Sequence, residues 1–315
     1  MAPDAPAEDR SAMAPPEHRN ARARGAAERV VRTVSEMRRV REEARARGRT
    51  VAFVPTMGAL HEGHLSLVER AAELAGTVVV SVFVNPTQFG PAEDFDSYPR
   101  DLDRDVELAG GRGADLIFAP TVEEMYPEPQ TLWVEPGPLA ERLCGLSRPG
   151  HFRGVLTVVA KLFSVVQPDI AVFGRKDFQQ SVLVRRMVEQ LHLPVRIETG
   201  PIVREPDGLA LSSRNAYLSP AERRSAAGLS RALRVARAAF AEGECSADAL
   251  SRLAERELRE AGLEVDYCEI VNPRDLAPVR DAAADSVCAM AARAGGTRLI
   301  DNETLGGPSA LDALG

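Results

Sequence analysis

The chain has 315 residues, enough for two domains, and 44% apolar with 27% charged residues is the balance of a soluble globular protein. A formal net charge of −7 leaves no dominant basic face and argues against a nucleic-acid partner, and no apolar run reaches the roughly 18–20 residues that span a bilayer. Cys144, Cys245, Cys268 and Cys288 lack C-x-x-C spacing, which argues against a disulfide framework or zinc ribbon; Asp4, Glu8 and Asp9 sit where a signal peptide would be basic, then apolar. The expectation is a cytoplasmic protein.

Residues 1–27 are Ala, Pro, Arg and Glu with little to bury, and read as a disordered extension. A short strand is predicted from Val30 to Val34, then a helix capped by Ser35, running to Arg47 and closed by Gly48. Thr50 to His64 (TVAFVPTMGALHEGH) is the organising stretch. Val51 to Val54 is dense enough in β-branched and aromatic residues for a buried strand, Pro55 ends it, and Gly58 and Gly63 allow a tight turn. Helical spacing starts at Leu65 and Gly76 stops it. Thr77 to Val84 is apolar on both faces, as in a buried parallel strand, and Asn85 and Gln88 follow its carboxyl end.

Gly90 to Arg100 reads as a mobile wall carrying Tyr98, followed by a helix from Asp101 to Leu108 and a strand from Asp115 to Ala119. A helical turn over Thr121 to Tyr126 and an edge strand at Leu132 to Val134 come next. The basic loop Arg148 to Gly154 (RPGHFRG) enters an apolar helix, Val155 to Val166. A strand at Ile170 to Phe173 turns through Gly174-Arg175-Lys176-Asp177 into a helix from Phe178 to Leu191, and a fifth core strand spans Val195 to Thr199. This β-α alternation predicts a doubly wound parallel sheet over residues 28–201. Beyond a hinge at Gly200-Pro201, a smaller α+β domain occupies 202–305. It holds the loop Leu211-Ser212-Ser213-Arg214, a capping box at Ser219 opening a helix to about Glu242, and a helix over Ala247 to Ala261. Strands at Val265–Val271, Val287–Ala292 and Thr297–Ile300 complete it, and 306–315 is a tail.

Three features converge on one sheet edge: His61 with His64 at a helix mouth, Lys176, and the Ser212-Ser213-Arg214 loop. Helix N–H groups, imidazoles and fixed cations are what a site stabilising charge on a phosphate requires. There is no Walker-type G-x-x-x-x-G-K-[ST], no G-x-G-x-x-G at the first strand–helix turn and no G-x-S-x-G elbow. Two alternatives carry less weight: zinc ligation, which needs further ligands that no cysteine or acid cluster supplies, and helix capping, the default for an isolated H-x-x-H, against which the strand–turn–helix context and Gly63 argue.

H-x-G-H after a first strand with a later S-S-R loop resembles the nucleotidylyltransferase and class I aminoacyl-tRNA synthetase superfamily. Within it, PTMGALHEGH, SVFVNPTQF, Tyr98-Pro99-Arg100, RPGHFRGV, the G-x-K-D-F-Q-Q run and DGLALSSRN, in order over about residues 30–305, resemble the pantoate–β-alanine ligases. The resemblance implies ATP-dependent joining of pantoate and β-alanine through a pantoyl adenylate, with magnesium carried by ATP, no tightly bound organic cofactor, and a homodimer. It implies an ATP site of Met57, Gly58, Ala59, Leu60, His61, Glu62, Gly63, His64, Gly174, Arg175, Lys176, Asp177, Val203, Leu211, Ser212, Ser213 and Arg214. Of these, His61 and His64 would face the α-phosphate, His64 as proton donor, while Lys176 and Ser212 to Arg214 would grip the triphosphate. Gln88 and Gln180, with Asn85 and Met57, would hold the acid and amine substrates, and Asp105 would be an outer magnesium ligand. Arg175 stands where the family usually has glutamate and Thr87 where it has methionine. The alternatives are a nucleotidylyltransferase that keeps the nucleotide on its product, and a catalytically silent nucleotide-binding homologue.

Overall fold

The computed structural model describes residues 30–91 and 93–307; the expected extension over 1–27, and the tail from 308 onward, lie outside the described residues. The first part of the chain gives β1 (Val30–Val31), α1 (Val34–Ala46), β2 (Val51–Thr56), α2 (Glu62–Leu74), β3 (Thr77–Val82), α3 (Leu102–Gly111) and β4 (Leu116–Phe118). The short helices α4 (Val122–Met125) and α5 (Cys144–Ser147) lead to α6 (His151–Val166), β5 (Ile170–Gly174), α7 (Phe178–Gln190) and β6 (Arg196–Gly200). These strands form one six-stranded sheet in the order β1-β4-β3-β2-β5-β6, and every pairing is parallel.

Period-two alternation explains the layering. Phe53, Val79, Phe118 and Phe173 point to one face, where α1 and α6 cover them. Ala52, Val54, Val78, Val80, Ile117 and Val172 point to the other, beneath residues of α2 and α3. Both faces of β2 and β3 are therefore apolar, and the sheet is doubly wound. β2 is central, with β3 on one side and β5 on the other, so the strand order reverses there. A crevice opens beyond the carboxyl ends of the strands at such a point.

The rest of the chain forms α8 (Pro220–Ala226), α9 (Gly228–Ala241), α10 (Ala247–Glu260) and an antiparallel sheet of β7 (Glu264–Val271), β8 (Val287–Ala294) and β9 (Thr297–Thr304). Its own core joins Leu229, Leu233, Leu250 and Leu258 of the helices to Cys288, Met290 and Ala292 of β8. A smaller cluster, Leu143, Phe178, Val271, Leu276, Val287 and Ala289, joins the two parts. Polar clasps add to it: Arg204 pairs in two bonds with fully buried Asp301, and Asn302 Nδ2 donates to the carbonyls of Arg175 and Lys176.

Several boundaries move from their predicted places for local reasons. Thr33, not Ser35, caps α1, because Glu36 completes a capping box with it. α6 begins at His151, four residues before the predicted start. The helix expected from Ser219 to Glu242 breaks at Ala227 into α8 and α9. Leu132 to Val134 forms no strand: Leu132 is 81% exposed, and the Val134 N–H donates to Thr157 Oγ1 on α6.

Candidate active site

The turn from β2 into α2 is fixed by a buried acid. Gly58, at φ +86°, takes a conformation that L side chains disfavour, and a Cβ there would stand 2.8 Å from Asp105 Oδ2. Asp105 Oδ2 accepts the Ala59 N–H at 3.0 Å and Oδ1 accepts the Leu60 N–H at 2.7 Å. With 1% of its surface exposed and both oxygens accepting backbone N–H groups, Asp105 anchors the H-x-G-H turn. Among the described residues, no group of three or more His, Cys, Asp or Glu side chains is assembled to hold a metal ion.

His61 is the N-cap of α2, so the helix begins at Glu62, before the predicted Leu65. The Gly63 N–H donates to His61 Nδ1 at 3.1 Å, which leaves the proton on Nε2. A side chain at residue 63 would place its Cβ 2.9 Å from the His61 ring, so glycine lets the imidazole fold over the helix mouth. The rings of His61 and His64 stack, with centroids 4.1 Å apart. Burial, then the charge of Lys176, pushes His61 down to about 4. Burial, then His61 and Lys176, holds His64 well below the ordinary imidazole range, and its Nδ1 is buried with no hydrogen-bond partner. Both imidazoles are therefore neutral near pH 7 and act as hydrogen-bonding groups rather than charges.

Beyond β3, Asn85 is 1% exposed and is satisfied from within: Tyr126 Oη and Thr87 Oγ1 donate to its Oδ1, while its Nδ2 donates to Gly154 O and to Gln88 Oε1. That sets the Gln88 amide, whose Nε2 lies 3.1 Å from Met57 Sδ. Close approach of α6 completes the arrangement: a Cβ at Gly154 would lie 2.2 Å from the Thr87 carbonyl oxygen. Met57, His64, Asn85, Gln88 and Gln180 line one cavity. Thr87 thus serves Asn85 from beside that cavity.

A second cavity is lined by Lys176, Asp177, Gln180, Ser212 and Arg214 of the predicted set, with Asp301 and Asn302 from β9. Ser212 Oγ accepts the Arg214 N–H at 3.3 Å, and Ser213 Oγ is 3.4 Å from Tyr98 Oη. Arg214 is held by two bonds to Asp94, at 2.7 and 3.0 Å. Gly58, Ala59, Leu60, His61, Glu62, Gly63, Gly174, Arg175, Val203, Leu211 and Ser213 are not among the lining residues of either cavity. Glu62 pairs outward with Arg112, and Val203 accepts the Leu211 N–H, which ties the approach to the serine loop. Arg175 is buried.

The two cavities share a wall of Arg148, His151, Asp177, Gln180 and Arg214. Arg148 and His151 were not assigned from sequence, although the RPGHFRG motif contains both. Arg148 donates from Nε and Nη2 to the Glu93 carboxylate at 2.7 and 2.6 Å, and from Nη1 to His151 Nε2 at 2.8 Å. Because arginine only donates, His151 carries its proton on Nδ1 and gives it to the Gln88 carbonyl at 2.8 Å. The cleft thus has an anion-handling side of Lys176, Ser212 and Arg214, an amide-lined side of Gln88 and Gln180, and stacked imidazoles at the helix mouth.

The chain is similar to known proteins over most of its length. "Pantothenate synthetase" of Pelotomaculum thermopropionicum is 52% identical over 278 residues, covering 88% of this chain and 99% of the relative. The crystal structure of pantothenate synthetase from Thermus thermophilus superposes with a TM-score of 0.83 at 51% identity, covering 88% of this chain and 99% of that one. The pantoate-beta-alanine ligase of Francisella tularensis, solved in complex with beta-gamma ATP and beta-alanine, gives 0.74 at 31% identity, over 89% and 98% of the two chains. The family model described as pantoate-beta-alanine ligase matches residues 29–304, and the chain belongs to that family.

Proposed function

We propose that this chain condenses (R)-pantoate with β-alanine to pantothenate, consuming ATP and releasing pyrophosphate and AMP through a pantoyl adenylate. The observation that carries the reading is the stacked His61–His64 pair at the mouth of α2, at a parallel-sheet switch point, next to a cavity lined by Gln88 and Gln180. In the first step a pantoate carboxylate oxygen attacks the α-phosphorus, the bond to the bridging oxygen of the β-phosphate breaks, and pyrophosphate leaves. In the second the β-alanine nitrogen attacks the acyl carbon, AMP leaves, and the amine gives up a proton.

Each group has a task that its geometry suits. Gln88 and Gln180 hold pantoate by neutral amides, which add no charge to the attacking carboxylate. His61, through Nε2–H, and His64 donate to the α-phosphate oxygens as charge builds there. Lys176, Ser212, Ser213 and Arg214 take the β- and γ-phosphates, and Gly174 to Asp177 with Val203 and Leu211 border the nucleoside. Magnesium enters on the phosphates of ATP as part of the substrate. Residues 202–305 cover the nucleotide held by 28–201 and keep the adenylate from water. The remaining parts of the reading are a homodimer working in the cytoplasm.

Pyrophosphate and AMP release, measured with ATP, magnesium and pantoate, with and without β-alanine, tests this. Pantoate-dependent pyrophosphate and β-alanine-dependent AMP are expected, both depressed by about 100-fold or more in His64→Ala. A product that retains the nucleotide, or nucleotide binding without turnover, overturns the proposal.

A further inference from the structure

Two guanidinium groups stand on the wall between the cavities, and each has its fork filled by a carboxylate of one loop: Arg148 by Glu93, Arg214 by Asp94. Arg214 belongs with the serine loop and Lys176. Arg148 is not part of that group. It starts the turn into α6, whose amino end has no side-chain cap, and its remaining nitrogen is locked by His151, so the Nε–Nη2 edge is aimed and cannot swing freely. That edge is demonstrably a carboxylate receptor, since it holds one bidentately at 2.6 and 2.7 Å. Through His151, the same group braces the backbone of Gln88.

The proposed reaction uses three anionic groups. The triphosphate is served by Lys176, Ser212, Ser213 and Arg214. The pantoate carboxylate becomes the acyl phosphate ester beside His61 and His64. The carboxylate of the incoming amino acid has no partner in that scheme. It lies three bonds from the nitrogen that must reach the acyl carbon, and so belongs on the wall next to the pantoate cavity. We infer that Arg148, aimed by His151, is the receptor for the carboxylate of the amine substrate, and that Glu93 occupies this position until that substrate replaces it. The inference rests on the ligase reading above and adds to it a residue that selects an amino acid over a simple amine. The Glu93 carboxylate acts as an internal stand-in: it keeps a part-buried guanidinium paired between turnovers and leaves when a substrate carboxylate takes the same fork.

The test compares β-alanine with β-alaninamide, which keeps the nucleophile and removes the charge, in the intact enzyme and in Arg148→Gln and Arg148→Lys. Wild-type enzyme is expected to prefer β-alanine in kcat/KM by about tenfold to a hundredfold, the effect of one charge-assisted pair. In Arg148→Gln that preference collapses, through a rise in the KM for β-alanine that exceeds any rise in the KM for pantoate. Arg148→Lys, which keeps charge but loses the fork, falls between. Wild-type enzyme that uses the amide as well as the acid overturns the inference, and this arm needs no variant to fold. Unchanged discrimination in Arg148→Gln, or an equal rise in the pantoate KM of pyrophosphate release, also overturns it. Failure of the ligase reading is distinguishable, because wild-type enzyme would then release no pantoate-dependent pyrophosphate before any amine is added.

Discussion

Replacing Asp105 with asparagine separates an anchoring role from metal binding. In the folded protein its two oxygens accept the N–H groups of Ala59 and Leu60 at 3.0 and 2.7 Å, in a site where 1% of the residue is exposed. Asparagine offers one acceptor oxygen and one NH2, so one of these N–H groups meets another donor. A buried unsatisfied N–H costs about 1–3 kcal/mol, and weakening the surviving charge-assisted bond adds about 1 kcal/mol. The expected loss is therefore roughly 2–4 kcal/mol, a Tm lower by roughly 3–6 °C in thermal denaturation. The turn it releases carries His61, so kcat falls even at saturating magnesium. Pyrophosphate release titrated with magnesium completes the assay. A variant with wild-type Tm whose magnesium requirement rises tenfold would refute the reasoning and return Asp105 to the metal.

Gly154→Ala drives a Cβ to 2.2 Å from the Thr87 carbonyl oxygen and 2.7 Å from the Gln88 nitrogen, both backbone atoms. It is expected to cost about 1–3 kcal/mol or more in urea unfolding and to raise the KM for pantoate; an unchanged KM would detach the 85–88 turn from substrate binding. Arg204→Gln leaves Asp301 buried and uncompensated and lowers stability by about 3 kcal/mol, while adding Asp301→Asn recovers most of it; strictly additive losses would contradict the pairing. His61 and His151 are both pushed down to about 4, first by burial and then by Lys176 and Arg148 respectively. Unfolded histidine titrates near 6.5, so the unfolded chain binds the extra protons, and the stability held above about pH 6.5 is lost as pH falls toward about 4. The slope is at most about 1.4 kcal/mol per pH unit per histidine, and urea midpoints from pH 7 to 5 are expected to fall less steeply in His151→Asn than in wild type. Equal slopes would contradict the burial of a neutral imidazole at 151.

How much of this was legible in the sequence depends on how local each cause is. The parallel strands were readable because β2, β3 and β5 are apolar on both faces, a pattern within single segments. The His61–Gly63–His64 turn was readable for the same reason, as was the polar pair after β3. Helix starts slipped where a side chain decides them: an imidazole as N-cap of α2, a threonine capping box on α1. The anchoring of the His61 turn by Asp105 was not readable, because only the fold brings that acid against a loop 45 residues earlier. The Arg148 network was hidden in the same way: its partner Glu93 lies 55 residues away, and the Gln88 carbonyl lies 63 residues from His151. Leu132 to Val134 has strand-like composition but pairs with no strand.

The adenylate is the species on which the account turns, so its direct capture is the sharpest test. Enzyme in excess over α-phosphate-labelled ATP, mixed with magnesium and pantoate and quenched in acid, should yield labelled pantoyl adenylate in pace with pyrophosphate. A chase of β-alanine before the quench should convert it to AMP and pantothenate faster than steady-state turnover. Accumulated adenylate that the chase consumes is the predicted result; AMP that appears only with β-alanine present, with no pantoate-dependent pyrophosphate or adenylate preceding it, would contradict the two-step chemistry.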